Sequence, residues 1–267
     1  MLRQKNPAAD ATVVLWLQIS GASLLSIPDI KESRFGEAST KIYDDWDDTS
    51  EIRALIDNNP ARAVDQHVLG FARSHSDQVR TALIFPPIIF GQGRGLGNNK
   101  SIQIPSLCRT AITSHQSVYV GRGRACWGNV HIADLARLVA DHINAHMNPQ
   151  HEHDLWNEDG LYLPATSEMV STSSSKLFFL LGLILSQTWF SIAEAIAKAA
   201  EEQGIKAPPS AISVKDADAL FAHGSVLFGT NARSVPGRAT RLLGYKSRQH
   251  SLSEEVAITF LRELRGF

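Results

Sequence analysis

Residues 13–19, VVLWLQI, form a continuous apolar run that ends at Ser20 and Gly21. A short run of this kind, closed by a turn, is typical of a strand buried on both faces of a parallel sheet. A second run, TALIF at residues 81–85, stops at Pro86 and Pro87. Between them, residues 51–73 repeat apolar side chains at helical spacing. Strand, helix and strand in this order predict a β-α-β unit.

Working outward, the same reasoning predicts further elements along the chain. Helices are expected at residues 101–113, 134–147, 189–202 and 253–265, and short strands at 117–120 and 161–163. Alternating strands and helices followed by a helical last third indicate an α/β fold with a mostly helical C-terminal part.

Composition excludes several classes of protein. The chain has 267 residues and a net charge of -1, so no global field attracts nucleic acid or an anionic membrane. Cys108 and Cys126 lie far apart and in no metal-ligand spacing, which favours a reducing compartment. The first ten residues carry charge and lack the apolar core of a secretory signal. We therefore expect a cytoplasmic protein.

A glycine series follows the second strand. Its members alternate with other residues at Gly91, Gly93, Gly95 and Gly97. A dinucleotide-binding loop needs glycine at the first, third and sixth positions, and here the sixth position is Leu96 or Asn98. We expect a flexible loop on the substrate side instead.

Histidines cluster at the end of the helix predicted over residues 134–147. His142 and His146 share a helix face, and His151 and His153 follow. The spacing is compatible with zinc, but no glutamate lies beside the first histidine and no cysteine is near. The pattern favours a solvated helix end without a metal.

Five segments in order resemble a known family. They are residues 16–25 (WLQISGASLL), 42–48 (IYDDWDD), 81–95 (TALIFPPIIFGQGRG), 127–138 (WGNVHIADLARL) and 238–256 (RATRLLGYKSRQHSLSEEV). Together they are similar to atypical extended short-chain dehydrogenases/reductases, described as NAD-dependent epimerase/dehydratase-like or NmrA-like NAD(P)-binding proteins. The resemblance implies the remnant of a Rossmann-type parallel sheet with a smaller, mostly helical C-terminal substrate-binding part.

The resemblance also implies a division of the chain. Residues 1–100 match the C-terminal half of the NAD(P)-binding domain. Residues 101–267 match the substrate-binding part, mixed with the last sheet strand. Because the strand at residues 13–19 matches the family's fifth strand, the glycine-rich turn that holds the pyrophosphate is expected to be missing, as in a chain truncated at its N-terminus.

A second departure concerns the family's tyrosine and lysine, which lie four residues apart on the helix after the serine strand. Arg62 and Gln66 occupy those positions. Arginine stays protonated and cannot serve as the acid/base, and glutamine carries no charge. Tyr43, upstream, is the remaining candidate for that role. The resemblance therefore implies a protein that is inactive as given.

A third departure is residues 170–187 (VSTSSSKLFFLLGLILSQ), which interrupt the family pattern. The apolar part is nine residues long, too short for a membrane span of roughly twenty. A retained intron translated in frame and a genuine loop with an apolar tip both fit. The composition favours the intron, because a solvent-facing loop rarely carries such a run.

The resemblance assigns roles to particular residues. Ser20, with Ser23 as the alternative, would orient the substrate oxygen, and Asn129 and His131 would lie near the substrate. The nicotinamide of NAD or NADP would contact three residues, Pro86, Pro87 and Ile88. The implied activity is that of an oxidoreductase or epimerase on a small carbonyl or hydroxyl compound, with a homodimer formed through residues 51–73. The alternative is a non-catalytic NmrA-like protein that senses dinucleotides and regulates a partner.

Overall fold

The computed structural model describes residues 13–148, 154–166 and 187–266. The elements in chain order are β1 (Val14–Ile19), α1 (Ile27–Lys31), β2 (Tyr43–Asp44), α2 (Thr49–Asp57), α3 (Ala63–Ser74), β3 (Val79–Ile84), β4 (Ile88–Phe90), α4 (Gln103–Ser114), β5 (Ser117–Val120), β6 (Asn129–His131), α5 (Ile132–Met147), β7 (Leu161–Tyr162), α6 (Trp189–Glu201), β8 (Pro209–Ile212), α7 (Val214–Leu220), α8 (Gly224–Gly229), β9 (Ser234–Val235), α9 (Gly237–Leu243) and α10 (Leu252–Arg265).

The central sheet has three parallel strands in the order β1-β3-β7. Val14 pairs with Val79 and Ile19 with Ile84, so the predicted β-α-β unit is confirmed. Three further two-stranded parallel sheets are formed by the pairs β4–β6, β5–β8 and β2–β9. β7 and β6 both come later in the chain than the strands they pair with, β3 and β4.

β3 and β7 are covered on both faces, as their apolar sequences require. The prediction of a strand buried on both faces is wrong for β1, which lies at the edge of the three-stranded sheet, has no buried residue, and leaves Val14 58% and Ile19 45% exposed. Along β3, Leu83 packs into one hydrophobic cluster, and Ala82 and Ile84 pack into another. β7 divides in the same way, with Leu161 in the first cluster and Tyr162 in the second. β3 and β7 therefore lie between two layers, and the predicted α/β class is correct.

The single helix predicted over residues 51–73 is wrong. α2 ends at Asp57, a 3-10 turn covers Pro60–Arg62, and α3 begins at Ala63. Asn59 accepts a hydrogen bond from the backbone N–H of Ala61, and proline at the next position starts a helix but cannot continue one. The break matters because it places Arg62 at the start of α3.

The solvated helix end predicted for the histidines is wrong at His142. Its side chain is fully buried, Nδ1 donates to the Leu138 carbonyl at 2.8 Å, and its ring packs edge-on against Tyr162. Burial lowers the pKa of His142 to about 4. His151 and His153 lie outside the described residues.

The segment at residues 170–186 also lies outside the described residues, so both explanations of it stay predictions. Among the residues that are described, no helix combines the length and apolarity needed to cross a bilayer.

Candidate active-site cleft

A cleft of about 370 Å³ lies at the carboxyl ends of β1 and β3. Gly21 to Ser23, Pro86 and Pro87, and residues of the loop after β4 line it. Trp127, Ile132 and Leu227 complete the wall from segments distant in sequence. In parallel α/β sheets this edge is where ligands bind, and the volume suits a small molecule.

The loop after β1 is held by Arg62. Its Nη2 donates to Ser23 Oγ at 3.0 Å and to the Gly21 carbonyl at 3.3 Å, and its Nη1 lies 3.5 Å from Ser20 Oγ. Ser20 itself donates its backbone N–H to Ile84, which continues the β1–β3 ladder. The structure thus brings both predicted serines together with Arg62, and Ser23 is the one that lines the cleft.

The charge of Arg62 is balanced by Asp65 in the first turn of α3. Nη1 lies 3.5 Å from Asp65 Oδ2, and both side chains are largely buried. Burial lowers the pKa of Arg62, and the Asp65 carboxylate opposes that shift. Because a guanidinium stays protonated in proteins, Arg62 can donate hydrogen bonds and polarise an oxygen but cannot exchange a proton.

Gln66 does not reach the cleft wall that the structure describes. Its Nε2 donates to the carbonyls of Ile56, Asp57 and Asn59, at 2.8, 3.3 and 3.0 Å. These are carbonyls at and just beyond the end of α2, which lack partners within that helix. Gln66 therefore joins α3 to α2. Tyr43, the other residue considered for the acid/base role, is buried in the core.

The residues after β3 divide between cleft and core. Pro86 and Pro87 line the cleft, whereas the side chain of Ile88 is fully buried in the hydrophobic core. Ile89, the next residue along β4, faces the cleft instead. This alternation follows from the two-residue period of a strand.

Asn129 and His131 lie on β6, paired with Ile88 and Phe90 of β4. Neither belongs to the described wall of the cleft. His131 lies directly behind the cleft residue Gly91, since a Cβ added there would meet His131 Nε2. Gly91 has φ +84, so glycine is required both by the backbone and by the imidazole.

Within the described parts of the chain, one group of side chains has metal-ligand character: His131, His250 and Glu255, with ligand atoms within 4.8 Å of one another. His131 Nδ1 accepts the backbone N–H of Ala133 at 3.1 Å. This bond places the proton of the neutral ring on Nε2 and leaves no lone pair for a metal. His250 and Glu255 are joined by a 2.6 Å hydrogen bond, and burial together with His250 lowers the pKa of His131.

Sequence reasoning missed the far wall of the cleft. Trp127 lies in a segment quoted for the resemblance, but Gln103 and Leu227 carry no motif. Gln103 donates to the Leu227 carbonyl at 3.0 Å, which ties the start of α4 to α8. The glycine series does border the cleft, through Gly91 and Gly93, on the side where a substrate loop was predicted.

Comparison with solved structures identifies the fold. The UDP-glucuronic acid 4-epimerase from Bacillus cereus, solved with UDP-glucuronic acid and NAD, matches 95% of this chain with a TM-score of 0.56 at 12% identity. MoeE5, solved with UDP-glucuronic acid and NAD, matches 96% with a TM-score of 0.54 at 15% identity. The chain has the fold of the NAD-dependent epimerases. This epimerase fold confirms the Rossmann-type architecture that the resemblance implied.

Comparison of sequences identifies less than comparison of structures does. No protein-family model matches the chain. A curated relative, the oxidase ucsJ from an Acremonium species, is 27% identical over 245 residues, which make up 91% of this chain and 67% of the relative. The chain spans 62% of the length of the Bacillus cereus epimerase and 67% of MoeE5.

Proposed function

We propose that the protein binds NAD or NADP and acts as an oxidoreductase or epimerase on a small carbonyl or hydroxyl compound. The observation that carries the proposal is the Ser23 hydroxyl, held by Arg62 in a cleft at the carboxyl ends of β1 and β3. Two solved structures with this fold contain NAD, and the relative ucsJ is named an oxidase, which supports a redox function.

The described residues fit the nicotinamide half of the cofactor. Pro86 and Pro87 provide an apolar surface beside a serine hydroxyl, and such a wall excludes water from a reacting centre. When bound, the nicotinamide would supply or accept a hydride. Ser23 would hold the substrate oxygen, and Arg62, which donates to Ser23 Oγ, would strengthen the hydroxyl as a donor.

A second candidate is a dinucleotide sensor without turnover. Arg62 cannot exchange a proton and Gln66 is engaged with the end of α2, so neither supplies the proton transfer that carbonyl reduction needs. This arrangement is the observation that supports the second candidate, in which the cleft binds a dinucleotide and a partner responds.

Titration of the 267-residue protein with NADH and with NADPH tests both candidates. Trp127 lines the cleft, so energy transfer from tryptophan to bound nicotinamide reports binding, and absorbance reports carbonyl reduction. Ser23→Ala is expected to weaken turnover, while Ser74→Ala, an exposed serine bonded to its own helix, is the matched control. Binding with turnover supports the enzyme, binding without turnover supports the sensor, and binding of neither dinucleotide contradicts both.

The proposal also includes a cellular location and an oligomeric state. Cys108 and Cys126 are buried and form no disulfide with each other, which is consistent with the cytoplasmic location that we propose. A homodimer through α2 and α3 is proposed on the resemblance, and Val64, 61% exposed on α3, is a residue that such a contact would cover. Sedimentation of the purified protein tests it.

A further inference from the structure

β1 is the longest strand at a sheet edge in the described part of the chain. It has six residues, whereas the other edge strands have two to four, and one of these, β8, begins with Pro209. Charges, prolines, bulges or a covering element normally protect a long edge strand from pairing with another chain. β1 contains no charged residue and no proline, and its pairing with β3 is regular from Val14 to Ile19. No described strand pairs with its other edge.

Half of the backbone groups of β1 point away from β3. Val14 donates its N–H to the Gln78 carbonyl, and Ser20 donates its N–H to the Ile84 carbonyl. Successive residues of a strand direct their N–H and C=O groups to opposite edges, so the residues at even positions serve β3. The N–H and C=O groups of Leu15, Leu17 and Ile19 therefore form the free edge, the edge of β1 that faces away from β3. Strand backbone groups of this kind are strong donors and acceptors that readily accept another strand.

The free edge is symmetric about Leu17. Leu15 and Ile19, two apolar residues of similar size, lie at equal distances on either side of it. A two-fold axis at Leu17 would place Leu17 opposite its own copy and Leu15 opposite Ile19 of the second copy, and each such antiparallel pair exchanges two hydrogen bonds. Ile19, which is 45% exposed, would then be covered by an apolar neighbour. Because β1 is uncharged, no like charges would face each other in this arrangement.

We propose that the free edge of β1 is a docking surface for a second copy of this chain, with the two β1 strands antiparallel and paired about Leu17. The two three-stranded sheets then join into one continuous sheet. Trp16 packs edge-on against Phe71 of α3 on one face of β1, and Leu17 packs with the cluster of α5 residues on the other. A two-fold axis perpendicular to the sheet keeps these faces aligned, so helices cover the joined sheet on both sides. This surface differs from the α2 and α3 contact proposed above and does not depend on cofactor binding.

Disulfide cross-linking of the 267-residue protein tests the register. In the proposed pairing the two Leu17 Cα atoms lie about 5.5 Å apart, within the reach of a disulfide. We therefore expect Leu17→Cys to give a covalent dimer after mild oxidation and the dimer to disappear on reduction. Val14→Cys, at a 58% exposed position on the same strand, is the matched control. Val14 would lie opposite Ser20 of the second copy, which separates the two Val14 residues by about 20 Å along the strands, too far to cross-link.

Sedimentation velocity tests the same interface without a covalent bond. Ile19→Lys places a charge on the free edge and is expected to weaken association at least about tenfold, which halves the mass of the assembly at micromolar concentration. Ile258→Lys, at a 39% exposed position on α10, is the matched control and should leave the mass unchanged.

Three outcomes would overturn the proposal. The first is a protein that sediments as a monomer, whose β1 edge is then covered within its own chain or left free. The second is equal cross-linking of Leu17→Cys and Val14→Cys. The third is a mass that Val64→Lys, on α3, halves and Ile19→Lys does not, which would place the contact between copies on α3 instead.

Discussion

Arg62 Nη2 donates a 3.0 Å hydrogen bond to Ser23 Oγ across the carboxyl end of β1. The same guanidinium contacts the Gly21 carbonyl and Ser20 Oγ, so one side chain from the start of α3 holds the whole loop that forms one side of the cleft. Asp65 balances its charge. The position at which the resemblance predicted a proton-donating tyrosine holds a permanent cation that fixes the serines.

Replacing Arg62 with leucine is expected to lower the free energy of unfolding by about 3 kcal/mol. The change removes the contacts to the β1 loop and leaves the Asp65 carboxylate, 4% exposed, buried without its partner. Urea denaturation measures the effect. Arg122→Leu removes a surface ion pair to Glu37 and should cost less than about 1 kcal/mol. Equal losses in the two variants would contradict the role given to Arg62.

Gln66 is expected to matter for stability and not for cofactor binding. Gln66→Leu removes the amide whose two N–H groups serve the three carbonyls at the end of α2, and it should cost about 1–2 kcal/mol in urea denaturation. Gln66→Lys keeps a donor at that position and should cost less, whereas Gln66→Glu, an acceptor only, should cost most. A Gln66→Leu protein with unchanged stability and weakened NADH binding would restore the role that the resemblance assigned to this position.

The elements that local pattern determines were predicted well. β1 and β3 lie within two residues of the expected bounds because continuous apolar runs between turn residues need no tertiary information. The break at Asn59 and Pro60 was visible as a helix start signal, but the apolar spacing on both sides concealed it. His142 lies four residues after Leu138, on the buried face of α5, and its polarity wrongly suggested solvent.

The cleft could be predicted only in part. Ser20 and Ser23 follow β1 directly, and Pro86 and Pro87 follow β3, so parallel pairing brings them to one edge. Leu227 reaches the same cleft from α8, and its position depends on how distant helices pack. No local pattern specifies which residue of a later helix completes a wall.

Gly91→Ala is expected to destabilise the protein by about 2 kcal/mol or more and to weaken ligand binding in the cleft. The new Cβ would collide with His131 Nε2, and φ +84 is strained for any residue with a side chain. Gly95→Ala, on the same loop with open space around it, should change stability by less than about 1 kcal/mol. Thermal unfolding measures both. If the two variants unfold alike, the packing of His131 against Gly91 does not constrain the loop.

Asp45 should make stability fall as the pH rises from about 4 to about 7. Its Oδ1 and Oδ2 accept the backbone N–H groups of Arg238 and Leu163, and burial raises its pKa from 3.8 to about 7. The folded state therefore holds a proton that the unfolded state has lost within this window, and stability is greatest at its acid end. Asp45→Asn loses one acceptor, so its penalty should be largest near pH 4 and smaller at pH 7 in urea denaturation. A penalty that grows with pH would contradict the raised pKa.

His142 should have the opposite effect to Asp45 and make the protein less stable as the pH falls. Burial lowers the pKa of His142 to about 4, so between pH 6.5 and pH 4 the unfolded state binds a proton that the folded state does not. Its contribution to stability is complete above pH 6.5 and is lost as the pH falls, by up to about 3 kcal/mol. His142→Phe keeps a ring against Tyr162 and removes the titration. Relative to the unchanged protein, this variant should gain stability as the pH falls from 6.5 to 4, whereas the penalty of Asp45→Asn grows over the same range. The contrary outcome is that both variants gain stability, or both lose it, relative to the unchanged protein as the pH falls from 6.5 to 4. In that case either Asp45 is not protonated or His142 is not neutral in the folded protein within this range.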